Sequence, residues 1–332
     1  MEGCLTCFKV SAAFIVCLTS LVYIKNYKKK KRINDLIKRK LKEREESWAI
    51  KNDCSLSDEE ISEITSLTAI EVLNALESRL WTCYEIVSAI CSRSAAADSL
   101  LNCNSQVLYK KAFKRAKEID NLISAGNYNK EELPLLGLPI SVKDVFEVKG
   151  TDCTFGCAHR LYQPSTLDGE LVKTLKRLGA IIITKTVVPQ LLMLPETYNP
   201  VFGPCRNPYD LTRTAGGSSG GEAALIASRG SFIGLGTDLG GSGRIPASFC
   251  GIVSFKPTAS RCSLRGIKTM SYLSGMEAFK VCYTPMARSV EDCVLLLKHL
   301  WSPSVSKADV RCCCVPFQEE VYNRKQPLKI GY

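Results

Sequence analysis

Two glycine–serine tracts constrain this chain more than any other feature: GlyGlySerSerGlyGly at 216–221 and GlyThrAspLeuGlyGlySerGlyArgIlePro at 236–246. Gly/Ser tracts are often flexible linkers. These two have apolar runs on either side and sit inside alternating strand and helix signals, so they read as tight turns of a packed domain. ProLeuLeuGlyLeuProIleSerVal at 134–142 reads as a buried strand, 168–178 as a helix, and the β-branched run IleIleIleThrLysThr at 181–186 as a strand. Residues 221–229 read as a helix, 232–236 as a strand, and 290–300 as a helix capped by Ser289 with Asp292. Upstream, Ser57…Glu60, Thr68…Glu71 and Thr82…Glu85 fit the capping box. Roughly 55–125 therefore reads as helical, with an amphipathic helix over 106–124. The expected class is α/β: a mixed or parallel sheet covered by helices on both faces. LeuLysIleGlyTyr at 328–332 reads as the opening of a further strand that lacks a partner, so the sheet is expected to be incomplete at its C-terminal side.

A net charge of +11 on 332 residues raises the question of nucleic-acid binding. Its distribution argues against that. Residues 1–44 hold twelve Lys/Arg against three acids, which leaves the body nearly neutral. Seventeen cysteines are scattered, without paired CxxC motifs, and only two histidines accompany them. That pattern fits buried thiols better than a disulfide framework or a zinc site.

Residues 10–24 carry no charge, and the cluster Lys28–Arg32 follows them. A membrane span needs roughly 20 apolar residues, reached here over 3–24 if Lys9 snorkels. A signal peptide carries its positive charge before the apolar run, the reverse of this order. The reading is an N-terminal transmembrane anchor helix over 1–26 and a basic juxtamembrane segment over 27–54. The latter is either a helix on the membrane surface or a solvated stalk. The remainder, 55–332, lies on the cytoplasmic side of an internal membrane such as the endoplasmic reticulum.

The glycine tracts lack the chemistry of nucleotide binding. GxxxxGK[ST] is absent, and Gly234, Gly236 and Gly240 miss GxGxxG by one residue. An active-site loop is the better reading. Glycines bring backbone N–H groups close to a ligand, and a serine beside them gains an oxyanion site. Neither His159 nor His299 lies in a recognisable triad motif. A lysine can act as base when burial makes its amine neutral. Lys143 ends an apolar strand and is the candidate.

These residues, with PheCysGlyIleValSerPheLysProThr at 249–258, resemble the amidase signature family over about 135–258. The likeness is greatest to its membrane-anchored members that cleave lipid amides. The apolar N-terminus and the stretch 316–332 support that choice. The resemblance implies a catalytic set of Ser242 as nucleophile, Ser218 as bridging serine and Lys143 as base. It implies an oxyanion site from the N–H groups of Leu239, Gly240, Gly241 and Ser242, with Met193 and Ser218 at the substrate. Ser219 and Arg244 are implied as supporting residues. Ser219 has an alternative as a helix cap for 221–229, Asp238 is read as holding the loop, and Arg244 as pairing with a carboxylate or with carbonyls. No cofactor or metal is expected, and no nucleic acid. The expected partners are a lipid amide substrate, the membrane surface and a second copy in a homodimer. Two departures stand out. Gly243 replaces a larger apolar residue, which is expected to loosen the loop, and Ser254 replaces a glycine.

Overall fold

The computed structural model describes residues 2–49, 54–126, 128–261, 263–268, 278–302, 309–313 and 315–327, with side chains from Thr19 onward. The strand expected at 328–332 lies outside the described residues.

Three helices follow their caps: α2 (Asp58–Ser66), α3 (Ala69–Glu77) and α4 (Cys83–Leu101). All three capping boxes form. In each, the Ser or Thr hydroxyl accepts the third backbone N–H while the glutamate reaches back to the cap N–H. Such a cap contributes about 1 kcal/mol. The amphipathic segment 106–124 divides into β1 (Asn104–Val107) and α5 (Tyr109–Ser124). Strand β1 was not expected, because AsnSerGlnVal has little strand propensity of its own. Pairing with the neighbouring strand holds it in place.

Further strands are β2 (Pro139–Lys143), β3 (Ile181–Thr186), the small hairpin β4 (Tyr198–Asn199) with β5 (Gly203–Pro204), β6 (Ile233–Asp238), β7 (Val253–Ser254) and β8 (Cys282–Ala287). Between them run α6 (Glu170–Arg177), α7 (Gly220–Ala227) and α8 (Arg244–Cys250), and α9 (Val290–Leu300) follows β8. Six strands form one sheet in the order β1-β3-β2-β6-β8-β7. The central β3, β2 and β6 are parallel, and β1, β8 and β7 are attached antiparallel. The sheet is therefore mixed. Strand β8 also went unread in the sequence, since Pro285 in its middle argues against a strand. It is tolerated beside β7, which pairs only with Met286 and Ala287.

Two buried clusters cover the two faces. One joins Ile140, Val142, Ile233 and Leu235 to the apolar sides of α3, α4, α5, α6 and α9. The other is built on Ala223–Ile226 of α7 with Ala247 and Cys250 of α8 and Met286 of β8. The thiols behave as small apolar groups: among the described residues Cys83, Cys91, Cys103, Cys205, Cys250 and Cys293 are all buried and free.

The N-terminal expectation needs correcting in two respects. Residues Glu2–Trp48 form one helix, α1, and among the described residues no helix is long and apolar enough to cross a membrane. A spanning anchor over 1–26 thus finds no support there. The basic segment is also not uniformly a free surface. Leu36, Ile37 and Leu41 pack on the second cluster, and Lys40 and Arg44 are buried. Lys40 Nζ lies 2.7 Å from Asp152 Oδ2, while Arg44 donates to Asn102 Oδ1 and the Asn104 carbonyl beside Asp98. Part of the charge that looked like a tail is consumed inside the protein.

Candidate active site

The parallel strands β3, β2 and β6 end together, and ligands of open α/β sheets bind outside such carboxyl ends. Lys143 is the last residue of β2. Alternation along the strand sends Ile140 and Val142 to the first cluster and Ser141 and Lys143 to the α7 face. Lys143 is completely buried, and its Nζ lies 2.7 Å from Ser218 Oγ and 2.9 Å from Thr237 Oγ1. Burial pushes the amine down to about 7, against the opposing charges of Asp238 and Glu222. Much of it is therefore neutral near pH 7 and able to accept a proton.

Ser218 is buried and follows a cis peptide bond from Gly217. Ser219 holds the N-cap position of α7, but its hydroxyl makes no cap bond. It donates instead to the Thr237 carbonyl at 3.3 Å, and its backbone N–H donates to the Ser242 carbonyl at 3.0 Å. The helix-cap alternative is thereby displaced: Ser219 ties the first glycine tract to the second.

The second tract is organised by Asp238, which accepts the backbone N–H groups of Gly241, Gly243 and Arg244 at 2.7, 3.1 and 3.2 Å. The Arg244 guanidinium completes the carboxylate with bonds of 2.9 and 3.0 Å. Burial works against the Asp238 charge, but Arg244 and the three N–H groups prevail and hold the carboxyl down at about 2. Both loop-holding expectations for these residues are met. One donor departs from expectation. The Gly241 N–H, with its φ of +116°, is taken by Asp238 rather than turned to the cavity. Among the described residues no protein acceptor takes the N–H of Leu239, Gly240 or Ser242.

Ser218, Ser242, Thr237, Leu239 and Gly240 line one cavity of about 290 Å³. Lys143 lies behind Ser218. Val145, Leu192, Met193, Leu194 and Ile245 give it an apolar lining, and Lys268 also reaches it. Met193 is thus at the cavity. It follows Leu191 and Leu192, both left-handed at φ +59° and +63°, a conformation costing roughly 1–3 kcal/mol that clusters at functional sites. Nothing in their sequence signalled that turn. Thr237 and Glu222 were missed as well, being a strand threonine and a helix glutamate with no motif of their own.

The Gly243 departure does not leave the loop slack, because its N–H is bonded to Asp238. A Cβ on Gly243 would stand 2.6 Å from Thr284 Oγ1 and 2.8 Å from Ser254 Oγ. The glycine is required by the hydroxyls facing it, one of which is the other departure.

The amidase family model matches residues 85–332. The chain belongs to the amidase signature family. The chain is 43% identical over 198 residues to fatty-acid amide hydrolase 1 of Sus scrofa, covering 60% of this chain and 34% of that one. It is 36% identical over 271 residues to an acetamidase of Aspergillus oryzae, covering 82% of this chain and 49% of the relative. A solved fatty acid amide hydrolase superposes with a TM-score of 0.77 at 26% identity, over 87% of this chain and 54% of that structure. The chain spans about half or less of the length of these relatives.

Proposed function

We propose that the protein hydrolyses carboxylic amides through an acyl-enzyme, with Ser242 as nucleophile. Neutral Lys143 takes a proton from Ser218, which takes one from Ser242, and Ser242 Oγ attacks the amide carbonyl carbon. The oxyanion is met by the N–H groups of Leu239, Gly240 and Ser242, each worth roughly 3 kcal/mol at such a site. The proton returns through Ser218 to the leaving nitrogen, the difficult step of amide cleavage. Water then releases the acid. The single observation that carries this reading is the buried 2.7 Å contact of Lys143 Nζ with Ser218 Oγ at the back of the cavity.

The acyl group favoured here is a long apolar one. The wall from Leu192 to Leu194, the likeness to fatty acid amide hydrolases and the exposed stretch of α1 support it. That stretch carries Tyr23, Tyr27 and Lys28–Arg32, suited to an anionic membrane surface where such substrates dissolve. A second reading, a short-chain amidase, is favoured by the modest 290 Å³ cavity and the likeness to an acetamidase. Hydrolysis of oleamide and acetamide by the purified chain, beside Ser242→Ala, separates the two. Preference for oleamide supports the first reading, preference for acetamide the second, and turnover retained in Ser242→Ala contradicts both.

A further inference from the structure

Glu222 is a carboxylate completely buried beneath Lys143. It lies in the first turn of α7 and points into the sheet. Its Oε1 accepts from Ser141 Oγ, and its Oε2 accepts from Thr186 Oγ1 at 2.6 Å. Ser141 precedes Lys143 by two residues and shares its face of β2. Thr186 is the partner of Lys143 across the β2–β3 ladder. A carboxyl bound to both is therefore held by two neighbours of Lys143 in the sheet. The ladder also makes room for it. Gly234 is the β6 partner of Ser141, and a Cβ there would fall 1.7 Å from Glu222 Oε1. The site is thus built for a carboxyl from three strands and one helix.

Two carboxyls act on Lys143 among the described residues, Glu222 from α7 and Asp238 from the end of β6. Asp144, next in sequence, turns away to Ser105, Thr154 and Lys185. Asp238 is committed to Arg244 and three N–H groups. Among the described residues Glu222 has two hydroxyl donors and no cationic hydrogen-bond partner, so its charge is not committed to an ion pair.

We infer that Glu222 is a positioning residue that sets the proton affinity of the Lys143 base, rather than only filling space beneath it. The inference rests on the proposed role of Lys143. When Lys143 takes the proton from Ser218 it becomes a buried cation, and an ionised Glu222 stabilises that cation. Burial raises the Glu222 pKa to about 7 against the hydrogen bonds of Ser141 and Thr186, so above that pH the carboxyl is already ionised when Lys143 takes the proton and keeps its charge through the step. The standing negative charge of Glu222 thereby keeps the cost of charging Lys143 low.

The test is the rate of covalent labelling by a fluorophosphonate probe as a function of pH, for the full chain, Glu222→Gln and Lys143→Ala. Glutamine keeps the shape and removes the charge. The acid limb of the profile should move to lower pH by roughly one unit, because an amine without its nearby anion loses its proton more easily. A purely structural role would lower the rate at every pH and leave the limb in place, and that result overturns the inference. Thr186→Val, which removes one donor and disfavours the ionised carboxyl, should move the limb in the same direction by less. It serves also if Glu222→Gln fails to fold, and an unmoved limb there overturns the inference equally. A Lys143→Ala chain that keeps the wild-type limb contradicts the Lys143 reading itself, and the inference falls with it.

Discussion

Ser254 Oγ lies where a Cβ on Gly243 would come within 2.8 Å of it, so a side chain after the nucleophile candidate and the Ser254 hydroxyl of β7 compete for one space. Thr284 Oγ1 stands on the same side, and neither hydroxyl has a hydrogen-bond partner among the described residues. Both departures from the family pattern thus occupy one place under the loop. Gly243→Ile should cost about 1–3 kcal/mol, as overpacking of a filled interior does. Adding Ser254→Gly should restore part of that loss, with the remainder owed to Thr284. Urea melts of the two single variants and the double variant measure the coupling. Strictly additive losses would show that the two sites do not share space.

The acid limb of activity should lie near pH 7. Burial lowers the Lys143 pKa to about 7, so the amine is protonated and idle below that value and competent above it. Rate should therefore rise with pH through that region. Lys143→Ala should lose roughly 10²–10⁴-fold near neutrality, the usual contribution of a general base, and should recover only as hydroxide increases. A pH–rate profile of both chains is the measurement.

Asp238 gives an acid-side signature of stability. Its folded pKa of about 2 lies below its ordinary 3.8, so its contribution is present above 3.8 and is lost as pH falls through about 2. Asp238→Asn should flatten that decline in urea melts over the same range. Arg244 is half-exposed, so solvent screening reduces its share, and Arg244→Ala should cost roughly 1 kcal/mol. An unchanged acid slope in Asp238→Asn would show that the loop is held some other way.

Much of this architecture was readable in the residues. The capping boxes gave the starts of α2, α3 and α4, and the β-branched run gave β3. Lys143 at the end of an apolar strand marked the proposed base before any likeness was considered. What escaped reading depends on contacts far apart in sequence. Strand β1 exists because β3 pairs with it, and β8 tolerates Pro285 because its outer neighbour is short. Glu222 looks like an ordinary helix glutamate until Ser141, Thr186 and Gly234 are brought around it. Lys40 and Arg44 look like part of a basic tail until Asp152 and Asp98 are placed beside them.

The docking of α1 should depend on Lys40. Its ion pair with Asp152 is buried on both sides, and removing one partner of such a pair costs about 3–5 kcal/mol. Lys40→Ala should free the helix, measured as faster proteolysis within 33–48 while the rest of the chain stays resistant. Cleavage at the wild-type rate would mean that Leu36, Ile37 and Leu41 hold α1 on their own.

The central claim is that Lys143 and Ser218 activate Ser242. Fluorophosphonate labelling of the purified chain beside Ser242→Ala, with the modified peptide identified by mass spectrometry, tests it most directly. The account predicts labelling of the wild type on Ser242 and none in the variant. Labelling that persists in Ser242→Ala, or a folded wild type that takes no probe, would contradict it.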